Sequence, residues 1–167
     1  MKKIFGILIV AMALTLCGCG QEQKTNEVVN NTSCKEIMEE VLDKVEGMKT
    51  DSTLFYDDAQ YEEYFEFLYD TSYDRAADGA YAYASASYAD EISIILADEE
   101  KDVDVIKGHL EERIERRARD FEGYEPDEAD KVYNAVIDTN GLYVIMVIAD
   151  DAENIVDDIN DVIEEVK

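Results

Sequence analysis

Few side chains in this 167-residue sequence are of the types that carry out chemistry, and they do not form a catalytic pattern. The single histidine, His109, lies between Gly108 and Leu110 in a segment with helical spacing. A nucleophile needs a base beside it, and zinc sites need several Cys or His ligands. We therefore expect no enzymatic activity, no cofactor and no transition-metal site, and we interpret His109 as an exposed helical residue.

The three cysteines suit an exported protein without an internal disulfide. Cys17 and Cys19 lie close to the start of the chain, which leaves Cys34 without a partner of its own. Cys34 could be a reactive thiol or form an intermolecular bridge. Its position on the apolar face of a predicted helix favours the alternative of a small buried side chain.

Carboxylates dominate the composition, with 41 Asp and Glu against 15 Lys and Arg. So acidic a chain repels nucleic acid and anionic lipid headgroups, and we expect no nucleic-acid partner. Calcium prefers oxygen ligands, and Asp98, Asp150 and Asp151 are candidate ligands for it. These three residues also precede predicted helices, where acids cap amide groups and complement the helix dipole, and capping is the interpretation that we favour.

Tyrosine supplies the candidate recognition surface. Eight of the eleven tyrosines fall between positions 56 and 88. The tyrosine ring is a rigid amphipathic contact that suits recognition of a protein, peptide or glycan. The residues that we select are Tyr56, Tyr61, Tyr64, Tyr81 and Tyr83. The alternative, that these rings cover the predicted sheet and one helix face, stays open.

Four arginines follow one another along a single predicted helix, namely Arg113, Arg116, Arg117 and Arg119. They could hold an anionic ligand. Glu112 and Glu115, however, lie four residues before Arg116 and Arg119, in the order that favours ion pairs along a helix. We therefore favour a solvated, salt-bridged helix face.

The first residues have the layout of a secretory signal peptide, with Lys2 and Lys3 ahead of an uncharged, largely apolar run. That run, residues 4–16, is shorter than the roughly 20 residues that a membrane-spanning helix needs. The next residues, Leu16-Cys17-Gly18-Cys19, resemble the lipobox of bacterial lipoproteins. The resemblance implies cleavage between Gly18 and Cys19 and lipid on Cys19. Cys17 could compete, but the bulky residue before it favours Cys19.

These features divide the chain into a lipoprotein signal peptide (1–18), a lipidated Cys19 with a polar tether (19–32) and one acidic domain (33–167). Removal of the signal takes two lysines and no acid, so the net charge changes from −26 to −28. Two acyl chains make a stable anchor. We expect the domain on the extracytoplasmic face of a bacterial membrane, attached through the lipid on Cys19.

Hydrophobic periodicity predicts an α+β fold. Ser33 and Glu36 form a capping box before an amphipathic helix. A short helix near residues 61–68 follows, then two strands, a helix over 102–119, strands over 131–138 and 142–149 joined through Asn140-Gly141, and a last helix from Ala152. The order predicts two β-β-α units that form a four-stranded antiparallel sheet with helices on one face.

Several segments are similar to a family of small Gram-positive bacterial lipoproteins that carry a domain of unknown function. They are Tyr56-Asp57-Asp58, Glu62-Glu63-Tyr64, Ala89-Asp90-Glu91-Ile92, Glu111-Glu112-Arg113-Ile114-Glu115, Tyr124-Glu125-Pro126, Asn134-Ala135-Val136 and Ala149-Asp150-Asp151-Ala152. The resemblance covers Cys34 to the last residue and carries over no catalytic or binding residue.

Together these patterns lead us to expect a non-catalytic binding or assembly component of the cell envelope, with an envelope protein as its partner. The alternative is an accessory lipoprotein that binds a cation, Ca²⁺ in particular, or a small ligand.

Overall fold

The computed structural model describes residues 32–84 and 87–165. The helices are α1 (Cys34–Lys44), α2 (Tyr61–Tyr69), α3 (Glu100–Glu122), α4 (Pro126–Tyr133) and α5 (Ala152–Glu165). The strands are β1 (Ser52–Phe55), β2 (Ala76–Tyr83), β3 (Glu91–Ala97), β4 (Val136–Asn140) and β5 (Tyr143–Ile148). The mixed α+β class that the sequence predicts is confirmed.

The strands form one antiparallel sheet in the order β1-β2-β3-β5-β4. It has five strands, so the prediction of four is wrong. The additional strand is β1, whose four residues, Ser-Thr-Leu-Phe, are too few to show an alternating pattern. The two β-hairpins of the predicted β-β-α units are present as β2–β3 and β4–β5, and β3 and β5 meet at the centre of the sheet.

Helices cover both faces of the sheet, and the prediction of helices on one face is wrong. On one side, Ile92 and Ile94 of β3 join a core with α1 and α5. On the other side, Ile95 and Ala97 of the same strand join a core with α2, α3 and α4. Successive side chains of a strand point to opposite faces of the sheet. A strand with apolar residues on both faces therefore needs a layer of helices on each face.

Helix α1 begins with the predicted capping box. The Ser33 hydroxyl accepts a hydrogen bond from the Glu36 amide (3.2 Å), and the Glu36 carboxylate accepts one from the Ser33 amide (3.3 Å). A third contact joins the helix to the sheet, because the Cys34 amide donates to the Asp78 carboxylate of β2 (2.7 Å). The local sequence signal and the tertiary contact therefore agree on where α1 starts.

The β4–β5 hairpin is present, but its turn lies one residue later than predicted. Asn140 still pairs with Tyr143 in the sheet, so Gly141 and Leu142 are the two central residues. Gly141 has φ of 62°, and Leu142 is not among the residues with positive φ. Positive φ at the first central residue alone is the type II′ pattern, which requires glycine there, rather than the type I′ pattern.

Helix α4 is absent from the predicted elements. The sequence predicts a strand over residues 131–138, and a proline such as Pro126 commonly interrupts regular structure. Pro126 instead lies in the first turn of α4, where its missing amide proton costs nothing. The strand prediction is therefore correct only from Val136 onward.

Candidate functional site

The structure brings the candidate tyrosines together in one aromatic cluster, although it buries two of them. The rings of Tyr81 and Tyr83 stack with centroids 4.8 Å apart, and Tyr64 stacks on Tyr83 at 6.4 Å. Tyr61 is 2% exposed and Tyr81 is 4% exposed, so neither offers a surface to a partner. Tyr56 and Tyr83 are half-buried, and Tyr64 reaches the surface.

Next to Tyr64 lies Phe67, the most exposed large apolar side chain within residues 32–84 and 87–165. Phe67 is 81% exposed and Tyr64 is 38% exposed, on the solvent side of α2. Gln60 and Glu63 border the same concave patch. We call these four residues, Gln60, Glu63, Tyr64 and Phe67, the α2 surface. Their spacing places them on one side of the helix, while the other side is buried in the core.

Phe67 does not appear among the residues selected from the sequence. The predicted apolar stripe of this helix runs through Tyr61, Tyr64, Phe65 and Leu68, and Phe67 lies outside that arc. An aromatic residue that departs from the apolar stripe of a short helix is the signal that identifies it. Phe67 is thus an apolar side chain that the core does not accommodate.

A buried ionic network lies beneath the tyrosine cluster. Glu91 of β3 is fully buried, and its carboxylate accepts two hydrogen bonds from Arg113 of α3, at 2.9 and 3.1 Å. Arg117 Nε lies 3.1 Å from the same carboxylate. Near it, the hydroxyls of Tyr69 and Ser93 share a hydrogen bond of 2.6 Å. The network joins α3 to the centre of the sheet.

Two of the four arginines on α3 therefore serve the interior. The other two match the sequence prediction, since Arg116 and Arg119 lie 3.9 Å from Glu112 and Glu115 respectively. Arg116 also donates to the Leu68 carbonyl at the end of α2 (2.7 Å). The prediction of a solvated, salt-bridged face holds for these two and is wrong for Arg113 and Arg117, whose side chains are only 11% and 16% exposed.

Burial controls the ionisation of this network. Burial alone acts to lower the pKa of Arg113, but attraction by Glu91 outweighs it and raises the pKa above its ordinary value. Burial followed by repulsion from Glu91 raises the pKa of the Tyr69 and Tyr81 hydroxyls. Both tyrosines are consequently neutral and Arg113 is charged throughout the physiological range.

The buried tyrosines predict how the protein responds to alkali. In the unfolded chain they ionise near pH about 10, whereas in the fold their pKa is raised, so the folded state holds protons that the unfolded state releases. Stability should be complete below pH about 10 and decline above it. The chain has no tryptophan, so tyrosinate absorbance can be followed without interference. The exposed tyrosines should ionise while the native circular dichroism is retained, and the last part of the rise in absorbance should coincide with its loss; complete ionisation of a chain that keeps its native spectrum would contradict the prediction.

A second ionic group lies where α4 meets β3. Lys131 donates to Asp90 (2.9 Å) and to Glu128 (3.3 Å), and Glu128 also accepts the Ala89 amide (2.7 Å). Burial alone would lower the pKa of Lys131, but these two hydrogen bonds raise it. Lys131 Nζ is also 3.9 Å from Asp150, so a protein cation already stands beside this candidate calcium ligand.

The other two candidate calcium ligands are exposed. Asp98 precedes Glu99, which is the N-cap residue of α3 and makes no side-chain capping hydrogen bond, so Asp98 is not the capping residue of this helix. Asp151 accepts a hydrogen bond from the Asn154 side chain (2.7 Å). Within residues 32–84 and 87–165, no three Asp, Glu, His or Cys side chains come together in a way that could hold a metal ion.

Cys34 and His109 lie on opposite faces of the sheet. Cys34 is fully buried in the core formed with α1 and α5, and burial, followed by repulsion from Asp78, raises its pKa. A neutral buried thiol is a poor nucleophile. His109 belongs to α3, is partly exposed rather than fully exposed, and has Glu112 3.8 Å away. The structure does not bring the two residues together.

The predictions that concern the signal peptide, Gly18, Cys19 and the tether up to residue 31 lie outside the described residues. In the part of the chain that is described, no helix combines the length and the apolar character needed to cross a membrane.

Comparison with known proteins identifies the domain. The family model described as Domain of unknown function (DUF4358) matches residues 57–149, more than half of the chain. No curated protein and no solved structure matches it. The matched stretch contains strands β2 to β5 and helices α2 to α4, and it is narrower than the stretch from Cys34 onward that the resemblance implies. The chain therefore belongs to the DUF4358 family of domains of unknown function.

Proposed function

We propose that this protein is a membrane-anchored extracytoplasmic lipoprotein and a non-catalytic binding or assembly component of the cell envelope, which holds a protein partner on its α2 surface. The observation that carries the proposal is the 81% exposure of Phe67 beside the exposed ring of Tyr64. Isolated apolar residues are common on surfaces. Two adjacent aromatic rings on a helix whose other side is fixed in the core are the preorganised kind of contact that anchors protein interfaces.

Charge narrows the class of partner. Glu62, Glu63, Glu66 and Asp70 on and just after α2 are exposed around the two rings. A basic rim on the partner complements these carboxylates and speeds its approach, whereas an anionic lipid surface is repelled. The partner that fits is therefore a protein with an apolar pocket bordered by Lys or Arg.

Attachment through Cys19 sets how far the domain can reach. Twelve residues lie between Cys19 and Thr32, and the thirteen Cα–Cα steps that join them span at most about 45 Å at full extension. Lipid on Cys19 would keep the α2 surface within this distance, plus the size of the domain, of the membrane. Anchoring and binding are then two separable properties, and one variant can test each of them.

Phe67→Ser is the variant that tests binding. Because the ring is almost fully exposed, we expect a loss of stability of no more than about 0.5 kcal/mol. The partner recovered after crosslinking on intact cells, identified by mass spectrometry, should fall about tenfold or more, as at an interface hot spot. Tyr133→Ser is the matched control, because Tyr133 is 58% exposed on α4, away from the α2 surface.

Equal recovery of the partner with Phe67→Ser and wild type would contradict binding at the α2 surface. Cys19→Ala tests the anchor separately. The variant, which cannot carry the lipid, should leave the membrane fraction, and its domain should still bind the partner when purified. If no partner is recovered and Ca²⁺ raises the melting temperature, the assembly proposal fails and the cation-binding alternative replaces it.

A further inference from the structure

The two edge strands of the sheet differ in how their outward main-chain groups are used. The Ala97 amide donates to the Leu142 carbonyl (2.9 Å). Together with the register, this bond shows which residues of β5 direct their main-chain groups toward β3. Alternate residues of a strand direct their main-chain groups to opposite sides. Tyr143, Ile145 and Val147 therefore bond to β4, and the register pairs them with Asn140, Asp138 and Val136. The main-chain groups of Ile137 and Thr139 consequently point away from the sheet.

The opposite edge, β1, is partly closed by its own chain. The Tyr56 amide donates to the Gly79 carbonyl (2.9 Å), so by the same alternation Thr53 and Phe55 point outward. The Phe55 amide donates to the Asp58 carboxylate (2.7 Å), and the Phe55 carbonyl accepts the Asp58 amide (2.8 Å). Such closure is a common protection of a strand edge against unwanted pairing.

The β4 edge has no such closure. Within the described ranges, no residue forms a hydrogen bond with the outward main-chain groups of Ile137 or Thr139. Thr139 is exposed, and Ile137 is partly buried against the core. Helices α5 and α3 contact β4 from the two faces. An added strand would therefore extend the sheet next to α5 on one face and α3 on the other.

Acidic side chains lie near this edge on the α5 side. Asn160 of α5 reaches β4 through hydrogen bonds with Asp138 (2.8 Å) and Asn140 (3.0 Å), which identifies the side of α5 that faces the edge. Helical spacing places Glu153, Asp157 and Glu164 on that same side, and all three are exposed. A strand that added to β4 would therefore approach a row of carboxylates.

We propose that the β4 edge binds an extended, lysine- or arginine-rich segment of another protein as a sixth strand of the sheet. Main-chain hydrogen bonds to Ile137 and Thr139 would hold the segment, and the acidic residues of α5 would select its basic side chains. A second copy of this chain is disfavoured, because each copy carries a net charge of −26 and would bring the same acidic row to the contact. The inference does not depend on the α2 surface, which lies on the face covered by α2, α3 and α4, toward β1 and β2.

The variant Thr139→Pro tests the proposal with the folded domain intact. Proline removes the outward amide proton that the sixth strand needs, and it removes no hydrogen bond of the sheet, so an edge position should tolerate it. Thr53→Pro is the matched control, because Thr53 has the same outward orientation on β1. The probe is a short peptide in which lysine alternates with valine. We expect Thr139→Pro to weaken its binding about tenfold or more and Thr53→Pro to leave it unchanged.

A second measurement uses the wild-type protein and so does not depend on how Thr139→Pro folds. In the same peptide, two adjacent central residues are N-methylated, which blocks both edges of the peptide strand at unchanged charge. Binding should fall about tenfold or more, and the unmethylated peptide should slow amide exchange at Ile137 and Thr139. Equal binding of the methylated peptide would overturn the proposal in favour of charge attraction alone. Association of the protein with itself through β4 at high salt would overturn it in favour of a second copy.

Discussion

Glu91→Gln is expected to destabilise the protein by about 3–5 kcal/mol, the cost of removing one partner from a buried ion pair. Glu91 is fully buried and faces two arginines, Arg113 and Arg117, whose side chains are 11% and 16% exposed. Glutamine fills the same volume but leaves both guanidinium groups without a counter-charge in the interior. Urea unfolding followed by circular dichroism measures the change in the free energy of unfolding. An unchanged slope of this free energy against urea concentration would show that only stability has altered.

Two further variants show whether the cost comes from unpaired charge. Glu112→Gln removes an exposed partner of Arg116 at 3.9 Å and should change stability by less than about 1 kcal/mol. Replacing Glu91, Arg113 and Arg117 together by Leu, Met and Met removes the whole ionic group and should recover most of the loss. If the triple variant is as unstable as Glu91→Gln, the network contributes through its hydrogen-bond geometry, and the charge argument fails.

Gly79→Ala is expected to cost about 1–3 kcal/mol or more, because the core has no room for one methyl group at this position. A Cβ on Gly79 would lie 1.9 Å from the hydroxyl oxygen of Tyr61 and 2.7 Å from the ring carbon that carries it. Tyr61 is 2% exposed and belongs to α2, so its ring cannot move aside without moving the helix. Thermal unfolding should show a lower midpoint for the variant.

A different glycine gives the matched control. Nothing lies within 4 Å of a Cβ on Gly108 in α3, so Gly108→Ala should stabilise the protein by about 0.5–1 kcal/mol through helix propensity. Tyr61→Leu removes the ring, and in that background Gly79→Ala should cost less than in wild type. Equal costs in the two backgrounds would show that the Gly79–Tyr61 contact does not cause the destabilisation.

Sequence reasoning succeeded for elements whose signal is local. The capping box at Ser33 and Glu36 and the apolar stripe of α5 each contain, within a few residues, the information that defines the helix. The two apolar runs that become β3 and β5 are of the same kind. Each pattern reflects a hydrogen bond or an apolar face within the segment itself, which does not depend on the identity of the elements packed against it.

Features of the fold that depend on a residue distant in sequence could not be predicted. The buried position of Glu91 in β3 could not be predicted, because a carboxylate in a buried strand is costly until arginines from α3, 22 or more residues later, neutralise it. The near-continuous apolar runs of β3 and β5 indicate a sheet covered on both faces, but which helices cover which face depends on the side that each connection takes. The short strand β1 exists because β2 is beside it.

The candidate site shows the same division. Clustering of tyrosines between 56 and 88 predicted the region that holds the exposed aromatic patch, but not which rings reach the solvent. Tyr61 and Tyr64 are three residues apart on one helix, yet one is buried and the other exposed. Burial of an amphipathic ring depends on what stands opposite it, here the bare backbone of Gly79, and a single sequence does not show that partner.

The contact between α1 and α5 constrains the order in which this domain can form. These two helices are far apart in the chain, and together they cover one face of the sheet, with the buried residues Ile145 and Val147 beneath them. A chain that is synthesised amino end first presents α1 long before α5. Bringing together two helices so far apart in sequence is slow. Until α5 packs against α1, the apolar face of the sheet beside α1 stays partly uncovered. Folding of the newly made chain should therefore be sensitive to chaperones and to premature cleavage until α5 is available.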